Sequence, residues 1–210
     1  MTIEPIVYVV DDDQAMVESL SWVIESVGLK AKTYIRAQDF LEQHNPLQPG
    51  CLLLDVRMPG MSGPELQSKL SAIGSPCLPI IFISGHGDVP LAVRVMKAGA
   101  VDFLTKPFND QVLLESINKA LRLDKLNREK QQESAQAEAK FALLSHREVQ
   151  VLQGIVAGKQ NKVISAELKI SLKTVEAHRA SVMKKMGVKS VPELVKLVLT
   201  NSVQESVQES

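Results

Sequence analysis

Four apolar runs each lead into a polar residue, and their order constrains the fold. Ile6-Val7-Tyr8-Val9-Val10 ends at Asp11-Asp12-Asp13, and Cys51-Leu52-Leu53-Leu54 ends at Asp55. Ile80-Ile81-Phe82-Ile83 ends at Ser84, and Val101-Asp102-Phe103-Leu104 leads to Lys106. Short runs of this kind, with little polar alternation, read as strands covered on both faces, which belong in a parallel sheet. Between them lie helical patterns. Met16, Leu20, Val23, Ile24 and Val27 recur at helical spacing and stop at Gly28, a residue suited to a helix end. A short strand near 30–35 and a helix near 37–44 follow. The pattern predicts five β-α units and a doubly wound α/β domain, with its site at the carboxyl ends of the strands.

Parallel strands would gather Asp11, Asp12, Asp55, Ser84 and Lys106 at one edge. Clustered carboxylates repel one another unless a cation joins them, and Mg²⁺ prefers oxygen ligands while keeping several waters. One carboxylate beside such an ion and an ammonium is a plausible acceptor for a phosphoryl group, because that transfer needs mainly alignment and charge neutralisation. Asp13 reads as a helix cap rather than a ligand. Ser62 and Glu65 have capping-box spacing. Asp88 is a candidate cap with Pro90 in the first turn, and His86 reads as a loop residue flanking the site.

Composition narrows the class. Hydrophobic residues make up 45% and charged residues 23% of 210 positions, ordinary values for a globular chain of one or two domains. No apolar run approaches the roughly 18 residues of a membrane span, and the first residues carry no basic signal region. A cytoplasmic protein without membrane contact is expected, with Cys51 and Cys77 reduced. The net charge of zero conceals a front of −4 over residues 1–123 and a back of +4 over 141–210. An acidic front and a basic back suit a cation or phosphate site followed by a nucleic-acid surface.

Residues 124–140 contain no Gly or Pro and almost no large apolar side chain. They predict an exposed linker helix, roughly 25 Å long if fully helical. The expected divisions are 1–123, a helical linker at 124–141, an all-α domain of four helices at 142–200, and a frayed polar tail at 201–210 carrying Ser-Val-Gln-Glu twice. Ser145-His146-Arg147-Glu148 is a second capping box, and Ser190-Val191-Pro192-Glu193 is a third.

The front segment resembles the receiver domain of two-component response regulators over residues 5–122. Val10-Asp11-Asp12-Asp13, Leu54-Asp55-Val56-Arg57-Met58-Pro59-Gly60, Ile83-Ser84-Gly85-His86 and Phe103-Leu104-Thr105-Lys106-Pro107-Phe108 carry the likeness. The resemblance implies that Asp55 accepts phosphate from a sensor histidine kinase. It implies Mg²⁺ held directly by Asp12, Asp55 and the backbone carbonyl of Arg57, with Asp11 acting through a metal-bound water. Lys106 would pair with phosphoryl oxygens across a cis Lys106–Pro107 bond. Ser84 would be drawn to the new phosphate and Phe103 would turn inward as a switch.

The back segment resembles the four-helix helix-turn-helix domain of the FixJ/NarL (LuxR-type) regulators over residues 142–200. The pieces are Leu144-Ser145-His146-Arg147-Glu148, Gly158-Lys159-Gln160-Asn161-Lys162, Ile170-Ser171, Thr174-Val175-Glu176-Ala177-His178-Arg179 and Met183-Lys184-Lys185-Met186. On the third helix Val175, Val182 and Met186 form a buried stripe, and Lys173, Glu176, Ala177, Ala180 and Lys184 project oppositely. That pattern fits a recognition helix in the major groove of promoter DNA. Glu176 suits a cytosine amino group, and Ala177 or Ala180 a thymine methyl. Thr174 and Arg179 are counted with the contact set. Lys173, Arg179, Lys184 and Lys185 suit phosphates, and His178 a structural hydrogen bond.

The whole reads as a DNA-binding transcriptional regulator that becomes a homodimer on phosphorylation, with RNA polymerase as a further partner, and not as an enzyme. The competing reading is an aspartate-nucleophile phosphatase of the haloacid-dehalogenase type. It rests on Asp11-x-Asp13, with Ser84 and Lys106 in later roles. It leaves Asp55 without a task and finds Ala15 where that motif wants Thr or Val.

Overall fold

A computed structural model describes residues 3–73, 78–85 and 89–208. The chain divides into two units, Met1–Glu129 and Lys130–Ser210. The first unit is built from β1 (Ile6–Val10), α1 (Gln14–Ser26), β2 (Lys30–Tyr34), α2 (Ala37–Gln43), β3 (Gly50–Asp55), α3 (Gly63–Ala72), β4 (Ile80–Ser84), α4 (Val89–Lys97), β5 (Asp102–Thr105) and the start of α5 (Asp110–Ala142). The strands pair in the order β2-β1-β3-β4-β5, every pair parallel.

Alternation along the strands makes two cores. Tyr8, Val10, Leu52, Leu54, Ile80 and Phe82 face one way and pack with Phe40 of α2, Leu66 of α3 and Val95 of α4. Val7, Val9, Leu53, Ile81 and Ile83 face the other way and meet Val17, Leu20 and Ile24 of α1 with Leu113 and Ile117 of α5. Every residue of β3 is buried, which is why its sequence shows no polar alternation. The sheet therefore carries helices on both faces, and its central strands deliver their last residues to one edge.

Local signals in the sequence set the helix starts. The Asp13 carboxylate accepts from the amides of Ala15 and Met16, satisfying donors that the first turn leaves open. Ser62 and Glu65 form the expected capping box. Gly63, which opens α3, is required by space: a Cβ there would lie 2.3 Å from the carbonyl oxygen of Asp55.

The second unit contains the end of α5, α6 (His146–Val156), α7 (Asn161–Leu168), α8 (Leu172–Met186) and α9 (Val191–Gln208). Val151, Leu152, Ile155, Ile164, Val175, Val182, Met186 and Leu194 form its core. Two expectations change. The tail predicted as frayed is helical in its backbone as far as Gln208, since no Gly or Pro interrupts the chain after Pro192. The linker is helical as predicted but is not exposed from its first residue. Asp124 is buried and its carboxylate is engaged by Gly50 and Arg128. The expectations for Cys77, His86 and Asp88 fall outside the described residues. Cys51 is buried as a free thiol, and burial pushes its pKa far up. No helix among the described residues is long and apolar enough to cross a membrane.

Candidate functional site: an acidic crevice and an exposed helix face

The crevice forms where β1, β3, β4 and β5 end. Asp11 follows β1, Asp55 closes β3, Ser84 closes β4 and Lys106 follows β5. The Lys106 ammonium bridges the two acids, 2.7 Å from Asp11 Oδ2 and 3.0 Å from Asp55 Oδ1. Its position is fixed through the backbone: the Lys106 amide donates to the Ser84 carbonyl at 2.8 Å, and the Lys106–Pro107 bond is cis as expected. The other oxygens of the pair face amides. Arg57 N–H donates to Asp55 Oδ2 at 2.7 Å, and Asp13 N–H donates to Asp11 Oδ1 at 3.0 Å.

Burial raises the Asp55 pKa above the ordinary value. The Lys106 and Arg57 hydrogen bonds oppose this, and the Asp11 charge adds to it. Mutual repulsion of acids, the cause the sequence suggests, is therefore secondary to desolvation. For Lys106 burial acts downward, but the bonds to Asp11 and Asp55 outweigh it and hold the ammonium above its usual pKa.

The crevice does not draw in every predicted residue equally. Asp12 is exposed and hydrogen-bonds to none of the other described residues, and the Arg57 side chain is also exposed. Among the described residues no group of three or more His, Cys, Asp and Glu side chains forms a ready cage for a metal. Mg²⁺ does not need one, since it is commonly held by one or two carboxylates with its own waters. The two buried carboxylates supply suitable oxygen chemistry, so the donor set fits that ion. Ser84 is buried at the crevice, and Phe103 is half-buried against the core that contains Phe82. The phosphatase reading finds no support: Asp13, the second acid of that motif, is committed to capping α1.

The second unit presents one face of α8. Lys173, Glu176, Ala177, Ala180 and Lys184 are exposed, while Val175, Val182 and Met186 are buried. Arg179 is half-buried on the flank. Thr174 has its hydroxyl 2.7 Å from the Ser171 hydroxyl and its amide bonded to the same oxygen, so it takes part in capping α8. Two residues depart from the sequence expectation. Lys185, assigned to phosphates from sequence, instead donates to Glu148 Oε2 at 2.6 Å and to the Leu143 carbonyl at 3.0 Å. His178 is half-buried and makes no side-chain hydrogen bond with another described residue.

Glu148 is the residue whose importance the sequence understates. Its capping box is present, with Ser145 N–H donating to it at 2.7 Å. The same carboxylate also receives Ser181 and Lys185 from α8, and so ties α8 to the start of α6. These partners, Lys185 first, hold its pKa well down, at about 2. A charged residue at a capping position was the available signal; its other partners lie 33 and 37 residues away.

Known proteins match both units of the chain. The model of the response regulator receiver domain matches residues 7–118, and that of the luxR family of bacterial regulatory proteins matches residues 142–198. Response regulator protein TmoT of Ectopseudomonas mendocina is 46% identical, with 98% of this chain and 92% of that protein covered. Transcriptional regulatory protein FixJ of Bradyrhizobium diazoefficiens is 45% identical, with 95% of this chain and 97% of that protein covered. Among solved structures, response regulator StyR aligns with a TM-score of 0.86 at 47% identity, covering 94% of this chain and 99% of that one. Full-length FixJ from B. japonicum aligns with a TM-score of 0.58 at 44% identity, covering 96% and 99%. The chain belongs to the transcriptional response regulators that join a receiver domain to a LuxR-type DNA-binding domain.

Proposed function

We propose that Asp55 is the phosphate acceptor from a sensor histidine kinase, and that its phosphorylation controls promoter binding through α8. The observation that carries this reading is the Lys106 ammonium bridging Asp11 and Asp55. It places a fixed cation where charge accumulates during phosphoryl transfer. An Asp55 carboxylate oxygen attacks the phosphorus of a phosphohistidine, the P–N bond breaks, and the imidazole leaves with the bonding pair. Lys106 neutralises the incoming oxygens, and the Arg57 amide orients the second Asp55 oxygen. Asp12, Asp55 and the Arg57 carbonyl would hold Mg²⁺, with Asp11 acting through a water; the ion supplies further charge neutralisation. The Ser84 hydroxyl then donates to the phosphate, and Phe103 repacks as the switch.

The output follows from surface chemistry. Val89, Val93 and Met96 of α4 are exposed apolar residues, beside the half-buried Phe103 of β5. We assign this face to a phosphorylation-dependent homodimer. Lys173, Glu176, Ala177, Ala180 and Lys184 enter the major groove, with Thr174 and Arg179 at the margin. Two linked DNA-binding units raise the effective concentration of the second, so affinity rises without any new base contact. RNA polymerase is the downstream partner of such a regulator.

The test is to treat the chain with acetyl phosphate and Mg²⁺, map the label, and measure sedimentation and promoter retardation. Label on Asp55, a dimer and tighter retardation are expected. Label on Asp11 or Asp13, or a monomer with unchanged affinity, overturns the reading.

A further inference from the structure

At the edge of the sheet opposite Asp55, the loop between α2 and β3 presents three successive carbonyls, those of Pro46, Leu47 and Gln48, to one guanidinium. Arg128 donates from NH1 to Pro46 O at 3.2 Å and Leu47 O at 3.1 Å, and from NH2 to Pro46 O at 3.2 Å and Gln48 O at 2.9 Å. Its Nε reaches Asp124 Oδ1 at 2.9 Å and Oδ2 at 2.8 Å. Asp124 is 2% exposed and accepts the amide of Gly50, the first residue of β3, at 3.0 Å. Gly50 is itself held close against β1, where a Cβ would lie 1.9 Å from the Ile6 carbonyl oxygen.

This cluster has a geometric condition. Asp124 and Arg128 are four residues apart and face each other because the chain between them is α-helical. An unpaired buried carboxylate is costly, and Arg128 adds bonds to carbonyls of a partly covered loop. The loop and the helix thus enforce each other. The fork geometry needs arginine; an ammonium cannot serve a carboxylate and three carbonyls at once.

Resting on the response-regulator reading above, we propose that Asp124 and Arg128 are positioning residues that fuse the first turns of the linker to the receiver. The signal then leaves through a helix with a fixed origin rather than through a loose tether. α5 runs without a break from Asp110 to Ala142, so a fixed origin constrains the helix turns directly after Arg128.

The full-length chain tests this. In Arg128→Ala, phosphate uptake at Asp55 should stay within about twofold of the unaltered protein, because the acid crevice lies at the other edge of the sheet. Amide exchange across residues 124–136 should accelerate about tenfold or more, and the gain in DNA affinity on phosphorylation should shrink severalfold. Arg128→Lys should restore neither. Unchanged exchange, or a full gain alongside faster exchange, overturns the proposal. Should Arg128→Ala lose phosphate uptake through misfolding, Ser134→Pro decides: it breaks the helix beyond the clasp and should abolish the gain while uptake persists. A full gain in Ser134→Pro overturns the proposal as well. If the unaltered chain shows no phosphate-dependent gain, the function reading fails instead, and the exchange of residues 124–136 in Arg128→Ala alone decides the clasp.

Discussion

Asp55 and Glu148 are covered carboxylates that each sit against a lysine ammonium, Asp55 at 3.0 Å from Lys106 and Glu148 at 2.6 Å from Lys185. Their side chains are similarly covered, 10% and 6% exposed, yet their pKa values move in opposite directions. Asp55 closes the central strand of a sheet covered on both faces, so desolvation acts hardest on it. It also shares its lysine with Asp11 and receives one amide. Glu148 lies in a smaller unit, shares Lys185 with no other carboxylate among the described residues, and adds a hydroxyl and an amide. The difference separates a carboxylate suited to the proposed phosphate uptake from one suited to a structural tie. A carboxylate with incomplete compensation keeps its nucleophilic character and can accept a group. A carboxylate with its donors satisfied becomes a structural tie. An identical ion pair on paper therefore says little until the rest of its donors are counted.

The largest expected effect breaks the comparison on its reactive side. Asp55→Asn should take up no phosphate from acetyl phosphate, since the amide lacks the attacking oxygen. It should also melt higher than the unaltered receiver at neutral pH. The sign follows from the raised pKa: a folded value above the unfolded 3.8 means that ionisation weakens the fold as pH rises through that window. A neutral isostere removes this cost. Calorimetry of both proteins checks it, and a lower melting temperature would show that Asp55 is a tie like Glu148.

On the structural side, Glu148→Ala should destabilise the second unit by about 1–3 kcal/mol, less than a fully enclosed pair because Lys185 is 34% exposed. Here the pH sign reverses. The folded pKa of about 2 lies below the unfolded 4.5, so the stabilisation is complete above the unfolded value and is lost as pH falls from about 4.5 toward about 2. Denaturant melts from pH 6 to 3 should show that loss in the unaltered chain and a flatter profile in the variant. Equal slopes would remove Glu148 from its role as tie.

The sequence made one kind of fact visible and hid another. Strands β1, β3 and β4 were legible because burial on both faces leaves continuous apolar runs. Asp13, Ser62 and Ser145 were legible because caps act within three residues. The crevice followed, since a parallel sheet must bring its strand ends together. Lys185 was misread because its partners, Leu143 and Glu148, lie 42 and 37 residues away and leave no local pattern. Arg128 looked like a solvated linker residue for the same reason; its carbonyl acceptors are 80 to 82 residues distant. Long-range use of a polar side chain is what composition and periodicity do not encode.

That limit yields a sharper test of neighbouring lysines. Lys184→Ala should weaken binding to every duplex and reduce the salt slope by about one unit, as expected when one phosphate contact is lost. Lys185→Ala should leave the slope unchanged and lower stability instead, because its ammonium is occupied by Glu148 and Leu143. Glu176→Ala should change base preference, by roughly 1–3 kcal/mol at one position. Retardation over a salt series separates the three. A reduced slope for Lys185→Ala would return it to the DNA surface.

The smallest effect concerns the turn between α7 and α8. Lys169 caps α7 with φ of 53° and ψ of 44°, the one non-glycine residue at positive φ among those described. A side chain in this left-handed region costs about 1 kcal/mol, and Asn or Gly tolerates it better. The backbone has reason to turn there: the Lys169 and Ile170 amides return to Ala166 and Ser165, closing α7 so that Ser171 can cap α8. The lysine side chain is exposed and bonds to none of the other described residues, so nothing in the fold offsets the strain. Lys169→Asn should therefore raise the stability of the second unit by about 0.5–1 kcal/mol, with the α8 face unchanged. The informative measurement is the same variant on DNA. If binding and salt slope are also unchanged, the strained lysine is neutral for output. If the slope falls by about one unit while stability rises, Lys169 contacts a phosphate, and the turn joins Lys184 as part of the DNA surface.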